Sequence, residues 1–369
     1  MPYIDHHSKP YDVGTLNKLE IFERYIGNWL PTFIMQPYFQ EINIVDFFSG
    51  LGYDSNGVSG SSIRILKMVK KFQGVLRENY TLINLYLNEY NCEKFEQLQT
   101  NCNAFLEDNK NIKRFVKIHY SCKDFNEIYS EIIVKTRNKP NLYIIDQNGI
   151  KFTNKKNFNT LLCLDRTDFL FFISSSFFNR FGSEEEFNQH LDINEESLKE
   201  NPYNFIHRIV LNAYRELIPK SSKLKIFPFS IKKNANIYGI IFGSKHIVGV
   251  EKFLKIAWDK NSINGEANYD IDDDRSKIQL ELNFSNPEAS KKLTKIENFK
   301  LKLEEFIKER KSVTNIELFN FTYENGHISE HTIEHLRELK KRKIIEYSGH
   351  TRISWESVKN NNINTFKWS

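Results

Sequence analysis

Cysteine is scarce in this chain of 369 residues, and its spacing excludes most cysteine-based chemistry. The four cysteines are Cys92, Cys102, Cys122 and Cys163. None belongs to a Cys-x-x-Cys pair, and no histidine lies at the spacing that would complete a zinc site. We therefore interpret all four as reduced thiols, and we expect no bound metal.

Long apolar runs are also missing. No run approaches the roughly 20 residues that a membrane-spanning helix needs. The N-terminal sequence MPYIDHHSKPYD is polar and contains no apolar signal core. We find no internal repeat and no low-complexity tract. These absences predict a cytoplasmic protein with no membrane association.

The residues that are present support a large core and a mildly basic surface. Apolar residues make up 40% of the chain and aromatic residues 14%, including 30 phenylalanines. The formal net charge is +5 and the pI is near 8.7. This charge permits nucleic-acid binding without requiring it.

Short apolar runs alternate with helical patterns over the first half of the chain. The predicted strands are residues 42–48, 82–89, 114–120, 141–146 and 168–174, and the predicted helices are residues 15–29, 61–72, 91–108 and 124–135. Such alternation indicates a parallel sheet covered on both faces. A helical insertion at about 178–220 and a hairpin at 223–245 follow. We therefore predict an α/β fold of the Rossmann-like methyltransferase type, in which a terminal antiparallel hairpin closes a mostly parallel sheet.

The C-terminal part has a different pattern. Amphipathic helices are predicted at 288–310, 314–326 and 329–343, and Ser329 is the predicted cap of the third. In the first part of the chain, Pro31 is predicted to end the helix at 15–29. A two-stranded wing at 344–355 would turn at Gly349. This order predicts a winged helix-turn-helix. We place the domain boundary near 285, giving a methyltransferase-like domain at 1–285 and a winged helix at 286–369.

The stretch DFFSGLGY follows the first predicted strand and contains two glycines. Glycine tolerates positive φ and lets the backbone approach a ligand closely. The spacing departs from the G-x-G-x-x-G pattern of dinucleotide sites, and it suits S-adenosylmethionine better. The alternative is a purely structural turn. The predicted cofactor-binding residues of this stretch are Asp46, Phe48, Ser49, Gly50, Gly52 and Tyr53.

Two further acids follow the second and third strands. Glu89 ends the run LYLNE, where a carboxylate can accept hydrogen bonds from both ribose hydroxyls. Asp124 lies where an acid would contact the adenine amine. The alternatives are a solvated carboxylate for Glu89 and a helix N-cap for Asp124.

The fourth strand ends in IIDQNG, where folds of this type place their chemistry. Asp146 and Asn148 are therefore the predicted catalytic pair, able to hold an amine or to orient a nucleobase. The alternative is a plain turn, since Asn-Gly is a favoured turn pair. A cysteine nucleophile is disfavoured, because Pro-Cys is absent and Cys163 lies in an apolar run.

These motifs together resemble the three-cysteine-motif partner proteins, a bacterial group with a methyltransferase-like fold. The matching residues are His6, Lys9-Pro10-Tyr11, Lys18-Leu19, Tyr25, Trp29, Asp46 to Tyr53, Gly57, Gly60-Ser61, Asp146, Gly149, Phe253-Leu254-Lys255, Trp258 and Gly265. The resemblance spans roughly residues 6–270. It implies a partner protein that carries a three-cysteine iron–sulfur motif, and a role in phage defence or nucleic-acid modification.

The predicted recognition helix and wing of the C-terminal domain are rich in basic residues. The predicted nucleic-acid-binding residues are Arg337, Lys340, Lys341, Arg342, Lys343 and Arg352, with His331, His335 and His350 beside them. Glu330, Glu334 and Glu338 oppose entry into a groove and favour the alternative, a protein-docking module.

We expect a methyltransferase-like protein that binds S-adenosylmethionine and acts on or recognises DNA or RNA together with a partner protein. The alternative is a non-catalytic scaffold of the same fold that binds a nucleotide or docks the partner enzyme. The sequence leaves open whether the chain is an enzyme.

Overall fold

The predicted strands of the first half form one sheet in the computed structural model, which describes residues 10–147, 152, 154–174, 202–233, 236–275 and 293–369. By contacts between Cα atoms the chain divides into two compact units, residues 1–246 and 247–369. The predicted boundary near 285 and the start of the insertion at 178–201 lie outside the described residues. The boundary therefore stays a prediction.

The first unit alternates strands and helices along the chain. Its strands are β1 (Glu41–Asp46), β2 (Leu82–Asn88), β3 (Val116–Ser121), β4 (Asn141–Ile145), β5 (Thr167–Ser174), β6 (Lys225–Lys233) and β7 (Asn236–Ser244). Its helices are α1 (Val13–Ile34), α2 (Ser61–Lys71), α3 (Gln73–Asn79), α4 (Cys92–Asp108), α5 (Lys110–Lys113), α6 (Phe125–Thr136), α7 (Lys155–Leu162) and α8 (Pro202–Leu217).

The order of the strands is β3-β2-β1-β4-β5-β7-β6. Strands β1 to β5 pair in parallel, and β7 pairs antiparallel with both β5 and β6. The chain runs outward from β1 to β3 and then returns to β4, directly beside β1. Ligands of such sheets bind where the order reverses, beyond the carboxyl ends of the strands. The predicted methyltransferase-type fold is confirmed by this sheet.

Buried apolar residues fill both faces of the sheet. One cluster packs Phe47 against Phe125, Tyr129 and Tyr143, with ring centroids 5.2–5.7 Å apart. These rings close the face of the sheet beneath the carboxyl end of β1. The turn after β1 therefore rests on a rigid base.

Helix α1 is longer than predicted at both ends. Asp12, and not Thr15, caps it by accepting a hydrogen bond from the Thr15 amide at 2.9 Å. The helix also continues past Pro31, which was expected to end it. Leu30 and Ile34 are fully buried on either side of the proline, and their packing offsets the lost backbone hydrogen bond.

The second unit contains a further helix before the winged helix-turn-helix. Its elements are α9 (Ile247–Lys260), α10 (Lys295–Arg310), β8 (Ser312–Thr314), α11 (Asn315–Glu324), α12 (Ser329–Lys341), β9 (Ile345–Glu346), α13 (Trp355–Lys359) and β10 (Thr365–Trp368). Thr294 and Thr314 each form a capping box, which fixes the starts of α10 and α11. Helix α12 begins at Ser329 as predicted, but its N-cap is Ile328.

The wing differs from its prediction. Residues 344–355 contain only the short strand β9, and the strand that completes the sheet is β10, near the end of the chain. Strand β10 pairs antiparallel with β8 and β9. Arg352 has a positive φ of 54°, which interrupts an extended strand at that point. Phe366 is fully buried, so packing draws β10 into the sheet instead.

Candidate functional site

The glycine turn after β1 is held by backbone bonds to its neighbours. Gly50 and Gly52 have φ values of 61° and 92°, which glycine adopts at little cost. The Ser49 amide donates to the Asn88 carbonyl at 2.9 Å, and the Gly60 amide donates to the Gly52 carbonyl at 2.7 Å. The turn therefore lies between the end of β2 and the start of α2.

Asp46, at the end of β1, is completely buried. Its carboxylate accepts hydrogen bonds from the Ser61 hydroxyl at 2.5 Å and from the Phe48 amide at 3.2 Å. Burial raises the pKa of Asp46 to about 7, although these two bonds and Lys18 favour the charged form. Both oxygens face groups of the protein, so Asp46 organises the turn and the first residue of α2.

Asp146 follows β4 and pairs with a lysine from the first helix. Lys18 Nζ lies 2.5 Å from Asp146 Oδ2, and both side chains are mostly buried. The same ammonium lies 4.4 Å from the centre of the Phe172 ring, a cation–π contact. The charge of Asp146 contributes to the raised pKa of Asp46. The carboxyl ends of β1 and β4 therefore share one electrostatic environment.

Tyr11 joins this environment from the segment before α1. Its amide donates to Asp54 at 2.7 Å. Burial raises the pKa of the Tyr11 phenol, and the carboxylates of Asp54, Asp146 and Asp46 raise it further. A Cβ placed on Gly60 would lie 2.9 Å from the Tyr11 hydroxyl and 3.2 Å from the Gly52 carbonyl oxygen, so a larger residue would displace the Tyr11 ring. Tyr11, Lys18 and Ser61 were not predicted as site residues, although all three belong to the motif that carries the family resemblance.

Glu89 lies directly beside the glycine turn. Its two carboxylate oxygens accept from the amides of Gly50 and Asn91, each at 3.0 Å. The side chain is half-buried, and a carboxylate has about four acceptor positions. Two positions therefore stay available for a diol. Together with the positive-φ glycines, this arrangement fits the ribose and the methionine moiety of S-adenosylmethionine.

Of the other predicted cofactor residues, Phe48, Ser49 and Tyr53 lie at the glycine turn, and Asp124 lies at the start of α6. Ser49 is buried and donates to the Asp46 carbonyl at 3.0 Å, and the half-buried Phe48 ring stacks on Phe125 at 5.5 Å. Tyr53 forms a β-bridge with Ser59. Asp124 is exposed and caps α6 through the Asn126 amide at 2.9 Å, as in the alternative interpretation. Asn148 lies outside the described residues.

The predicted nucleic-acid-binding residues are all exposed. They occupy the C-terminal half of α12, the residues that follow it, and the wing: Arg337, Lys340, Lys341, Arg342, Lys343 and Arg352. Lys340 donates to the Tyr347 carbonyl at 2.8 Å and lies 4.1 Å from the centre of the Tyr347 ring. This contact links the end of α12 to the wing.

Two of the histidines expected beside this basic group face the interior instead. His335 is buried, with its ring nitrogens 2.9 Å from Glu304 and 3.0 Å from Glu338. His331 lies against His327, with 3.1 Å between their Nδ1 atoms. Burial lowers the pKa of His331 to about 4 and that of His327 to about 2. His331 is therefore neutral near pH 7 and adds no positive charge. The lysine and arginine side chains of α12, which are positively charged near pH 7, lie toward its C-terminal end.

The fold and the site define a methyltransferase-like α/β unit followed by a winged helix-turn-helix. The family described as the GMT-like wHTH domain matches residues 268–352. This match concerns the winged helix alone, so the resemblance to the three-cysteine-motif partner family stays a prediction. No curated protein matches the sequence. Within the described residues, no helix has both the length and the apolar character that a membrane crossing requires.

Three solved methyltransferase structures match this chain at low sequence identity. Trm1 from Pyrococcus horikoshii, in complex with S-adenosyl-L-methionine, is 12% identical with a TM-score of 0.39, and the match covers 64% of this chain and 57% of that one. The METTL16 methyltransferase domain is 12% identical with a TM-score of 0.30, covering 63% and 67%. The DszA carbon methyltransferase is 7% identical with a TM-score of 0.29, covering 56% and 48%. All three TM-scores are low, so the fold assignment depends on the sheet order and the family match.

Proposed function

We propose that this protein binds S-adenosylmethionine over the carboxyl ends of β1 and β2 and acts as a methyltransferase. The observation that carries the proposal is the hydrogen bond from the Gly50 amide to Glu89, at 3.0 Å. It joins the glycine turn and the ribose-binding acid into one structure, in a sheet whose order reverses beside β1. Bound there, the cofactor supplies an activated methyl group.

In this proposal, different residues bind the cofactor and orient the acceptor. Glu89 accepts hydrogen bonds from the ribose hydroxyls, and the turn at Gly50 and Gly52 lets the backbone approach the methionine moiety. Asp146 orients the acceptor at the end of β4, with Lys18 holding the carboxylate in place. Positioning of the two reactants supplies most of the rate.

We propose nucleic acid as the acceptor. The exposed basic group of α12 and the wing can contact phosphates, because each lysine or arginine neutralises one phosphate and releases its counterion. The predicted partner with a three-cysteine iron–sulfur motif and the predicted role in phage defence extend this proposal. The sequence resemblance is their only support.

A non-catalytic scaffold is the second candidate, and the Lys18–Asp146 pair favours it. A carboxylate held at 2.5 Å by a largely buried ammonium must give up that contact before it can bind an acceptor. In this alternative the ion pair is structural, and the site binds a nucleotide without transferring a methyl group.

Calorimetric titration with S-adenosylmethionine and its demethylated product tests the cofactor site. We expect Glu89→Ala to weaken binding by about 1–3 kcal/mol, the range for a lost charge-assisted hydrogen bond. Glu93→Ala removes an exposed acid from the first turn of α4 and is the matched control. Equal affinities for the two variants and the wild type would show that Glu89 does not contact the cofactor.

A further inference from the structure

Two of the four cysteines lie together at the carboxyl edge of the sheet. Cys92 Sγ and Cys122 Sγ are 3.0 Å apart, although 30 positions separate the two residues in the sequence. Cys92 is exposed and Cys122 is half-buried. The other two cysteines differ, since Cys102 is buried and Cys163 is exposed after α7.

The backbone near both cysteines is fixed by the sheet. Strands β2 and β3 are parallel neighbours, with Asn88 opposite Ser121. Beyond the last paired residues, the Glu89 amide donates to the Ser121 carbonyl at 3.1 Å. Asn91 caps α4 through the Lys94 amide at 3.0 Å and so sets the position of Cys92. The two sulfurs are therefore held near each other by ordinary secondary structure.

A disulfide needs only a small further movement. Its sulfurs are about 2.05 Å apart, so a separation of 3.0 Å must shorten by about 1 Å. Rotation of two side chains at the ends of well-held turns can supply such a shift. The Cys122 thiol also donates toward the Tyr90 carbonyl at 3.5 Å, and this weak contact is easily exchanged.

We propose that Cys92 and Cys122 form a redox modification site, at which a small-molecule disulfide such as glutathione disulfide converts the pair into a reversible intramolecular disulfide. The bond joins the turn that carries Glu89 to the turn that carries Asp124. The proposal does not depend on the proposed cofactor, because it concerns thiol chemistry alone.

The reaction is two successive thiol–disulfide exchanges. The exposed Cys92, as its thiolate, attacks one sulfur of the small disulfide and releases a first small thiolate, which takes up a proton. Cys122 then gives its proton to solvent and attacks Cys92 in the mixed disulfide, releasing a second small thiolate. The protein loses two electrons and two protons, and the small disulfide becomes two thiols.

Solvent exposure gives the two cysteines different roles. Cys92 is exposed and Cys122 is half-buried, so an external disulfide reaches Cys92 more easily. The hydrogen bond to Cys92 also raises the pKa of Cys122, which keeps Cys122 as the neutral thiol until the second step. This difference supports the order in which Cys92 reacts first with the external disulfide and Cys122 closes the bond.

Equilibration of the folded full chain in glutathione buffers of increasing oxidation tests the site. After acid quenching and alkylation, peptide mass spectrometry should find a Cys92–Cys122 cross-link that dithiothreitol reverses. In Cys122→Ser, Cys92 should carry glutathione instead. Cys163→Ser, which removes an exposed cysteine elsewhere, should keep the cross-link unchanged.

Separate glutathione adducts on Cys92 and Cys122 of the wild type, with no cross-link at any ratio, would overturn the proposal. A cross-link that forms only in urea would overturn it as well, because the folded geometry would then play no part. As a second measurement, oxidation should raise the thermal unfolding midpoint of the wild type and leave that of Cys92→Ser unchanged.

Discussion

Asp46 shows at the scale of a single residue how the fold sets the chemistry of the site. Burial raises its pKa to about 7, while Ser61 and the Phe48 amide bind the charged form. Lys18 and Asp146 act in opposite directions on the same group. The carboxyl thus titrates near neutral pH, where a small change in any neighbour alters its charge.

The raised pKa predicts a specific pH dependence of stability. An acid whose pKa rises from 3.8 to about 7 on folding binds more protons in the native state than in the unfolded state over that interval. Its stabilising contribution is complete below pH 3.8 and is lost as the pH rises to about 7, a change of about 4 kcal/mol. We expect Asp46→Asn to remove this change. Urea denaturation between pH 4 and pH 8 measures the free energy of unfolding of both proteins.

The matched control is Asp124→Asn, which changes an exposed acid at a helix cap and keeps the cap. Its stability curve should run parallel to that of the wild type. If the Asp46→Asn curve also runs parallel, Asp46 does not titrate near neutral pH and its burial has been offset by its partners.

At the scale of an element, the exposed basic residues of α12 lie toward its end. Glu330 and Glu334 are exposed near the start of the helix. Arg337, Lys340 and Lys341 are exposed toward its end, together with Glu338, which pairs with Lys300. Basic residues at a helix C-terminus also interact favourably with the helix dipole. The basic group therefore has a structural role of its own, and a binding experiment must separate the two.

Phosphate-dominated binding predicts a strong salt dependence. We expect duplex nucleic acid to bind weakly and to dissociate as salt rises, because each lysine or arginine contact releases about one counterion. The triple variant Lys340→Ala, Lys341→Ala, Arg352→Ala should lower the slope of log K against log salt by up to about three. Titration of the full chain with duplex DNA and RNA at several salt concentrations gives this slope.

A triple variant of exposed lysines on or next to α10 is the control, with alanine at Lys302, Lys308 and Lys311. It changes the net charge equally, so a general charge effect would lower both slopes. If neither nucleic acid binds the wild type at low salt, the winged helix is a protein-docking module.

The half-buried His331 of the second unit predicts a pH dependence of the opposite sign. The pKa of His331 falls from 6.5 to about 4 on folding, so the unfolded state binds more protons between these values. This stabilising contribution is present above pH 6.5 and is lost as the pH falls toward 4. Because the ring is only half-buried, solvent screening keeps the change below about 3 kcal/mol. Urea denaturation gives the free energy of unfolding as a function of pH. We expect His331→Gln to reduce the fall of this free energy between pH 6.5 and pH 4, the acid limb of the curve.

Asp46 acts in the opposite direction over much of the same range, so only a comparison of each variant with the wild type is informative. His350→Gln, an exposed histidine of the wing, is the control and should leave the acid limb unchanged. An acid limb of wild-type steepness in His331→Gln would show that this histidine is protonated in the folded state.

At the scale of the whole molecule, the chain consists of two compact units that divide at residue 246. The motif Phe253-Leu254-Lys255-x-x-Trp258 lies on α9, within the second unit. The Trp258 indole donates to the Gly326 carbonyl at 2.9 Å, and its ring lies where a Cβ on Gly265 would be. This motif therefore stabilises the second unit.

A methyl-transfer assay of the full chain distinguishes the two candidate functions. With radiolabelled S-adenosylmethionine and duplex DNA or RNA, we expect Asp146→Ala to abolish transfer and to keep cofactor affinity, because the proposed function gives Asp146, directly after β4, the role of orienting the acceptor. Asp165→Ala, at an exposed acid paired with Lys245, is the control. An active Asp146→Ala protein would show that the turn is structural, and an inactive wild type with its partner present would favour the scaffold.

The elements of the fold were predictable from short stretches of sequence. The predicted strands and helices of the first unit agree with the structure to within a few residues, because strand alternation, helical spacing and caps depend on nearby residues. The glycine turn and Glu89 were found in the same way, from their positions at the ends of predicted strands. Strand β8, with three residues, was too short to produce a recognisable pattern.

Only the tertiary structure decided which distant residues meet. Lys18 and Asp146 are 128 positions apart, and they pair because α1 lies against the sheet, where Tyr25 of the same helix donates to Asp168 of β5 at 2.6 Å. Cys92 meets Cys122 because β2 and β3 are neighbours. The sequence alone determined the repeating elements and the residues that follow each strand. The pKa of Asp46, the lowered pKa of His331 and the strand that completes the wing depend on packing between segments, which no local pattern contains.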